Sequence, residues 1–165
     1  MISAPAPLTA QHQRTDFDSG VPSLDDWLKH RAVKNQANDS SRTYVVCEGL
    51  VVIGYYCLSA GAIGHAEAPS PMRRNRPDPI PVMVLGRLAI HNDYQQQGIG
   101  TALLRDAILR TVQAAEIAGM TALLVHALTE QAKRFYRSRG FMASPIQPMT
   151  MYQLLATAHQ AWREG

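Results

Sequence analysis

The sequence predicts an α/β domain, more narrowly α+β, and three observations in its second half predict it. Val82 to Ile90 is a long apolar run, Gln95-Gln96-Gln97-Gly98-Ile99-Gly100 is a glycine-bearing turn, and the segment after it repeats apolar residues at helical spacing. The order that results is strand, turn, helix, strand, helix, strand. At 165 residues the chain is read as one domain, 1–165, long enough to bury roughly two thirds of its unfolded surface in a single core.

The elements follow in order. Residues 1 to about Thr15 read as a loosely held start, because Pro5 and Pro7 block regular structure. Ser23 with Asp26 three residues on resembles a capping box, and Leu24, Trp27, Leu28 and Ala32 supply the apolar face of the helix it opens. Thr43 to Cys47 and Leu50 to Leu58 are strand-like runs parted by Glu48-Gly49, a hairpin signal. Residues 66–81 hold five prolines and three arginines and read as a loop or irregular excursion. After the turn, Leu104, Ala107, Ile108, Thr111, Val112 and Ala115 line one helix face that ends near Gly119. Leu123-Leu124-Val125 is a short strand. A second helix runs from about Thr129, with Ala132, Phe135 and Tyr136 on one side, and Gly140 stops it at a C′ position. Met149 to Leu155 reads as a closing strand, and a short helix carrying Trp162 as the end of the chain.

Bulk properties exclude several classes. The longest uncharged apolar stretch, Leu50 to Leu58, is far short of the roughly 20 residues a membrane span needs, and no basic-then-apolar leader opens the chain. A soluble, cytoplasmic protein is expected. Cys47 and Cys57 lack CxxC spacing, and none of the six histidines form an i, i+4 pair, so reduced core cysteines and no metal site are expected. The net charge of +3 lies wholly in the second half: residues 1–82 hold eight Lys/Arg and eight Asp/Glu, residues 83–165 eight and five. Two basic clusters stand out: Arg73-Arg74-Asn75-Arg76, and Lys133-Arg134 with Arg137 and Arg139. They read either as solvated faces or as contacts to a polyanion's phosphates.

The turn is the chemical signal. Glycines let backbone approach a ligand without Cβ clashes, and the leading amides of the next helix aim N–H groups and a positive dipole end at an anion. A plain tight turn fits the same residues. A Walker A loop would need Gly-Lys-Ser/Thr, and Leu103 breaks Gly-x-Gly-x-x-Gly, so nucleotide folds of those kinds are disfavoured. The Gln95-x-x-Gly98-x-Gly100 form, followed by Phe135-Tyr136-Arg137-Ser138-Arg139-Gly140-Phe141, resembles the acetyl-CoA signature of the GCN5-related N-acetyltransferases, the GNAT family. Phe17-Asp18-Ser19-Gly20, Leu24-Asp25-Asp26-Trp27-Leu28, Ser41 to Val45, Leu58-Ser59-Ala60-Gly61 and Val84-Leu85-Gly86-Arg87-Leu88-Ala89-Ile90 are similar to the GNAT toxins of bacterial toxin-antitoxin modules, the TacT and AtaT type.

That resemblance implies a single GNAT fold, a central mixed, mostly antiparallel sheet flanked by helices. It implies acetylation of the α-amino group of an aminoacyl-tRNA with acetyl-CoA, a block of translation, a small ribbon-helix-helix antitoxin, DNA contact only through the antitoxin complex, and a homodimer. It places the backbone of Leu88, Ala89 and Ile90 beside the pantetheine and thioester, and the amides of Gln95, Gln96, Gln97, Gly98, Ile99, Gly100 and Thr101 on the pyrophosphate, with Phe135 also at the cofactor. Tyr136 takes the family's general-acid position, its other reading being a core aromatic. On this view Arg73, Arg74, Arg76, Lys133, Arg137 and Arg139 meet tRNA. Two departures are Gln95, where the family often has Arg, and Thr129, where it often has Asn or Ser. The alternative activity is acetylation of a small-molecule or peptide amine.

One absence bears on the acceptor. No Asp or Glu occurs between Asp78 and Asp93, so the central strand offers no carboxylate base. A lysine with pKa near 10.4 would need such help, whereas an α-amine near 8, lower once its carboxyl is esterified, needs little; this leans toward an α-amino substrate. Arg87 alternates with Leu85 and Ala89 in an apolar strand and reads as a buried ion pair or a substrate-positioning group.

Overall fold

The computed structural model describes residues 1–158, and Trp162 with its expected helix lies outside them. Seven strands form one sheet in the order β1-β2-β3-β4-β5-β7-β6. They are β1 (Ala6–Pro7), β2 (Arg42–Glu48), β3 (Val51–Ile63), β4 (Ile80–Ile90), β5 (Ala122–His126), β6 (Met142–Ala143) and β7 (Thr150–Leu154). The helices are α1 (Pro22–His30), α2 (Ala32–Ala37), α3 (Ser70–Arg73), α4 (Ile99–Ala118) and α5 (Glu130–Ser138). β4 pairs with β5 in parallel, and β1 with β2, β2 with β3, β5 with β7 and β6 with β7 antiparallel, the mixed and mostly antiparallel sheet expected. Two compact units divide the chain: residues 1–59 with 86–107, and residues 60–85 with those from 108 onward. β3, β4 and α4 each run from one unit into the other. No helix among the described residues is long and apolar enough to cross a membrane.

In the first unit, α1 buries Leu24, Trp27 and Leu28, and Ala32 continues that face at the head of α2. They pack with Leu8, Phe17, Val45, Val52, Tyr55 and Ala89 into one core. The expected capping box does not form. Pro22, which has no N–H to leave unsatisfied, occupies the first turn, so the helix begins upstream of Ser23 on Val21 with no side-chain cap. Asp25 rather than Asp26 does the local polar work: buried, it accepts from Ser19 N–H at 3.0 Å and Ser19 Oγ at 2.7 Å. β2 and β3 meet at a turn through Gly49, whose φ of +64° is easy only for glycine.

The first fifteen residues are not loosely held. β1 pairs Ala6 with Val45 and Pro7 with Tyr44, Ser3 N–H donates to Cys47 O at 2.8 Å, and Leu8 N–H donates to Thr43 O at 2.9 Å. The two prolines are tolerated because an edge strand needs only half of its donors, and Leu8, 2% exposed, anchors the segment in the core.

In the second unit, Val82 to Leu85 of β4 lie in register with Ala122 to Val125, and β7 closes on β5 from the other side. The proline-rich stretch is more ordered than its composition suggests. It forms a 3-10 turn, His65–Glu67, and the one-turn α3, because fully buried Ala68, Met72 and Ile80 tie it into a core with Val82, Leu124 and Tyr152. α5 starts where Thr129 Oγ1 accepts from Ala132 N–H at 3.0 Å, so Thr does there what Asn or Ser would. It stops at Gly140, with φ of +93° and a Cβ position only 2.7 Å from Gln153 Nε2. The edge strand β6 had no expectation in the sequence.

Along α4, Leu104, Ala107, Ile108 and Thr111 are buried as the spacing requires, and Leu103 joins them. Gly119, with φ of +72°, ends the helix.

Candidate active site

The turn before α4 is built by the side chain of its first residue. Gln95 Nε2 donates to Ser19 O at 3.0 Å, Ile90 O at 2.9 Å and Asn92 Oδ1 at 3.3 Å, tying the turn to the end of β4. The Gln95 N–H points back to Asn92 O at 3.5 Å. Gln95 is therefore a staple of the turn, a role the sequence did not suggest. Gln96 and Gly98 both take positive φ, 62° and 82°, which swings the chain into the helix. The first bond of the α4 ladder runs from Ala102 N–H to Gly98 O at 3.1 Å, leaving Gly98, Ile99 and Gly100 as leading residues of a long helix.

Gly100 is the telling residue. Its φ lies outside the left-handed region, and a Cβ built on it would meet no protein atom within 4 Å; the same space lies over Gly98. Neither backbone strain nor packing calls for glycine at 100, and glycine near a helix start costs about 0.5–1 kcal/mol relative to alanine. The open space at a helix N-terminus fits a phosphate that must touch backbone, so these residues suit the pyrophosphate of acetyl-CoA.

At the end of β4, Ala89 is buried in the first unit's core while Leu88 and Ile90 are half-buried. His91 N–H donates to Ile53 O at 2.8 Å and Asn92 N–H to Asp18 O at 2.8 Å, which hold the strand's exit. Gly86 keeps Arg87 in the strand beside Cys57, whose Sγ would be 3.2 Å from a Cβ at 86. Burial pushes the Cys57 thiol up, opposed by the Arg87 charge, and both cysteines are free thiols in the core.

Arg87 makes no ion pair with a carboxylate among the described residues. Its guanidinium lies 4.6 Å from the Trp27 ring centroid, and Trp27 stacks on Tyr55 at 5.9 Å and 11° on its own account. Arg87 borders a cavity of about 540 Å³ with Trp27, Asp26, His30 and Arg31. Sequence reasoning missed these four as site residues, since only the packing of α1 over this part of β4 brings them to Arg87.

In the second unit Tyr136 is 7% exposed, edge-on to Phe135 at 5.3 Å and to Phe141 at 5.4 Å. Burial pushes its phenol pKa up to about 12. The side chain is a packed aromatic, as one reading expected, and its raised pKa leaves the phenol protonated at neutral pH. Arg73, Arg74 and Arg76 are exposed around Asn75, whose φ is +58°, and Arg73 donates to Ser70 Oγ at 2.9 Å. Arg137 is exposed, Lys133 is half-buried, and Arg139 lies 5.8 Å over the Phe135 ring.

A long-stranded mixed sheet, a glycine turn opening on α4 and Tyr136 on α5 are features of one class of enzyme, and the chain belongs to the GNAT acetyltransferase family: the model of the Acetyltransferase (GNAT) domain matches residues 39–143. Among individual proteins, the chain is similar to a tRNA-acetylating toxin of Mycobacterium tuberculosis, 46% identical over 156 residues that make up 94% of each chain. The solved structure of AtaT complexed with acetyl-methionyl-tRNAfMet superposes with a TM-score of 0.90 at 28% identity, covering 98% of this chain and 99% of that one. AtaTR bound with acetyl-CoA matches at a TM-score of 0.84 and 28% identity, covering 98% of each chain.

Proposed function

We propose that this acetyltransferase is a toxin that uses acetyl-CoA to acetylate the α-amino group of an aminoacyl-tRNA, blocking translation in the cytoplasm. A ribbon-helix-helix antitoxin neutralises it, DNA is met only through that complex, and the toxin works as a homodimer. The observation that carries this reading is the 46% identity along 94% of the chain to a tRNA-acetylating toxin. The open backbone at Gly98 and Gly100 supports the cofactor.

Bound acetyl-CoA supplies a thioester carbonyl open to attack by an amine. The amides of Gln96 to Thr101 hold its pyrophosphate, with Phe135 beside it, and the backbone of Leu88, Ala89 and Ile90 lines the pantetheine and thioester. A backbone N–H at Leu88 or Ala89 aimed at the carbonyl oxygen stabilises the charge that develops there, a contribution typically worth about 10²–10³ in rate. Tyr136, whose phenol burial pushes up to about 12, keeps its proton at neutral pH and presents it to the departing sulfur. The attacking α-amine, with a pKa near 8 or below, sheds its own proton to water, so no carboxylate base is required. Arg87 positions the acceptor. Arg73, Arg74, Arg76, Lys133, Arg137 and Arg139 meet tRNA phosphates at a strength that falls as salt rises.

The test is to incubate the protein with labelled acetyl-CoA and, separately, charged tRNA, free amines and peptides. Label in the aminoacyl-tRNA is expected. Label only in a free amine or a peptide would replace this function with the small-substrate alternative.

A further inference from the structure

Two cavities flank the C-terminal end of α1, each of about 540 Å³. Arg31 and Arg87 line the first, Arg14 and Lys29 the second, and His30 lines both. With His12 added, four Lys or Arg side chains and two histidines face a single carboxylate, Asp26. Arg14 is held in place, its Nη1 donating to Leu28 O at 3.1 Å and Lys29 O at 3.4 Å. Lys29 and Arg31 form no ion pair among the described residues, and Arg31 is exposed. So much unpaired positive charge around concave surface concentrates anions from solution.

The lining also says what kind of anion. Trp27 and His30 are the rings in the first cavity, and Trp27 already stacks on Tyr55 and carries the Arg87 guanidinium at 4.6 Å. The rest of the lining, Ser23, Asp26, Arg31, Asn35 and Arg87, is polar or charged and suits no apolar side chain. What the cavities offer is charge and hydrogen-bond donors at adjoining positions, which suits consecutive phosphates of one strand.

We infer that these cavities hold the phosphodiesters of the unpaired 3′ end of the acceptor RNA, Arg31 and Arg87 on one phosphate and Lys29 on the next. The inference rests on the aminoacyl-tRNA reading, since the reacting amine is attached to the 3′-terminal ribose and its nearest phosphates are those of the last nucleotides. Neither basic cluster seen in the sequence includes these residues.

The full chain is assayed as wild type, Arg31→Ala, Lys29→Ala with Arg31→Ala, and Arg42→Ala, the last a control whose guanidinium is paired with Asp39 at 2.7 Å. Two acceptors are compared, aminoacyl-tRNA and a 3′-aminoacyl adenosine without phosphate. The double variant should raise KM for aminoacyl-tRNA about tenfold and flatten the slope of log KM against log salt by about 0.7 per lost contact. Its kcat, its KM for the phosphate-free acceptor and its calorimetric affinity for acetyl-CoA should match wild type, as should every property of Arg42→Ala. Unchanged KM for tRNA, or an equal rise with both acceptors, would overturn the inference. Loss of acetyl-CoA affinity would also overturn it and assign the cations to the coenzyme's phosphates. Wild-type protein inert on aminoacyl-tRNA would instead sink the functional reading beneath it.

Discussion

The guanidinium of Arg87 in β4 lies 4.6 Å from the ring centroid of Trp27 in α1, with no carboxylate paired to it among the described residues. An arginine in a core strand usually answers a buried acid; here its charge rests on an aromatic face and on a cavity. A cation–π contact of this kind is worth about 0.5–2 kcal/mol. Arg87→Met should therefore keep the fold, because the stem still packs on Trp27, and should lower Tm by about 2–4 °C per kcal/mol lost. Acetyl-CoA affinity should hold while KM for aminoacyl-tRNA rises about tenfold, the loss of a single phosphate contact. Thermal melts beside steady-state kinetics decide it, and a collapse of Tm with unaltered KM would make Arg87 structural.

Tyr136→Phe removes only the hydroxyl from a ring held edge-on by Phe135 and Phe141. The melt and the acetyl-CoA isotherm should be nearly those of wild type. Single-turnover acetylation of aminoacyl-tRNA should fall by about 10²–10⁴, and expression of the variant alone should no longer arrest growth. Full activity would move the proton donor to another group.

With Tyr136 as the proposed general acid, its raised pKa predicts the pH profile. Its folded value, about 12, lies above the usual phenol value near 10, so burial favours the protonated form. Any stability linked to that proton is fully present below pH of about 10 and is lost as pH climbs toward 12. The rate should rise as the acceptor amine loses its proton near pH 8 or below, then stay level to about pH 10. A decline in kcat starting at pH 8–9, with the fold intact by circular dichroism, would mean that a more acidic group donates the proton.

Gly100→Ala separates cofactor from fold by the opposite signs of its two effects. A Cβ at 100 meets no protein atom within 4 Å, so alanine should stabilise the start of α4 by about 0.5–1 kcal/mol. The same methyl fills the space assigned to pyrophosphate and should weaken acetyl-CoA binding about tenfold, roughly the 1.4 kcal/mol expected if one backbone contact is lost. Calorimetry and a melt on one sample read both. A variant that binds acetyl-CoA as well as wild type would leave the turn a turn and nothing more.

Much of this molecule is local and was legible in the residues. α4 and α5 follow from apolar spacing at 3.6 residues per turn. Thr129 and Gly140 mark the ends of α5 because a side-chain acceptor and a positive φ are needed there, and Gly98 marks the turn because its φ is positive too. Tyr136 was placed by the residues beside it in a recognisable run. What tertiary structure decided are the features that join segments far apart in the chain. Pro5 and Pro7 look like breakers until an edge position makes their missing donors harmless. Asp25 and Asp26 are indistinguishable in sequence, and only the loop from Ser19 makes the first a buried acceptor. Gln95 staples the turn because Ser19 and Ile90 bring carbonyls to its side-chain amide. Arg87 reaches Trp27, and the phenol of Tyr136 rises to about 12, through burial by side chains that no spacing rule connects, since desolvation depends on everything that surrounds a group.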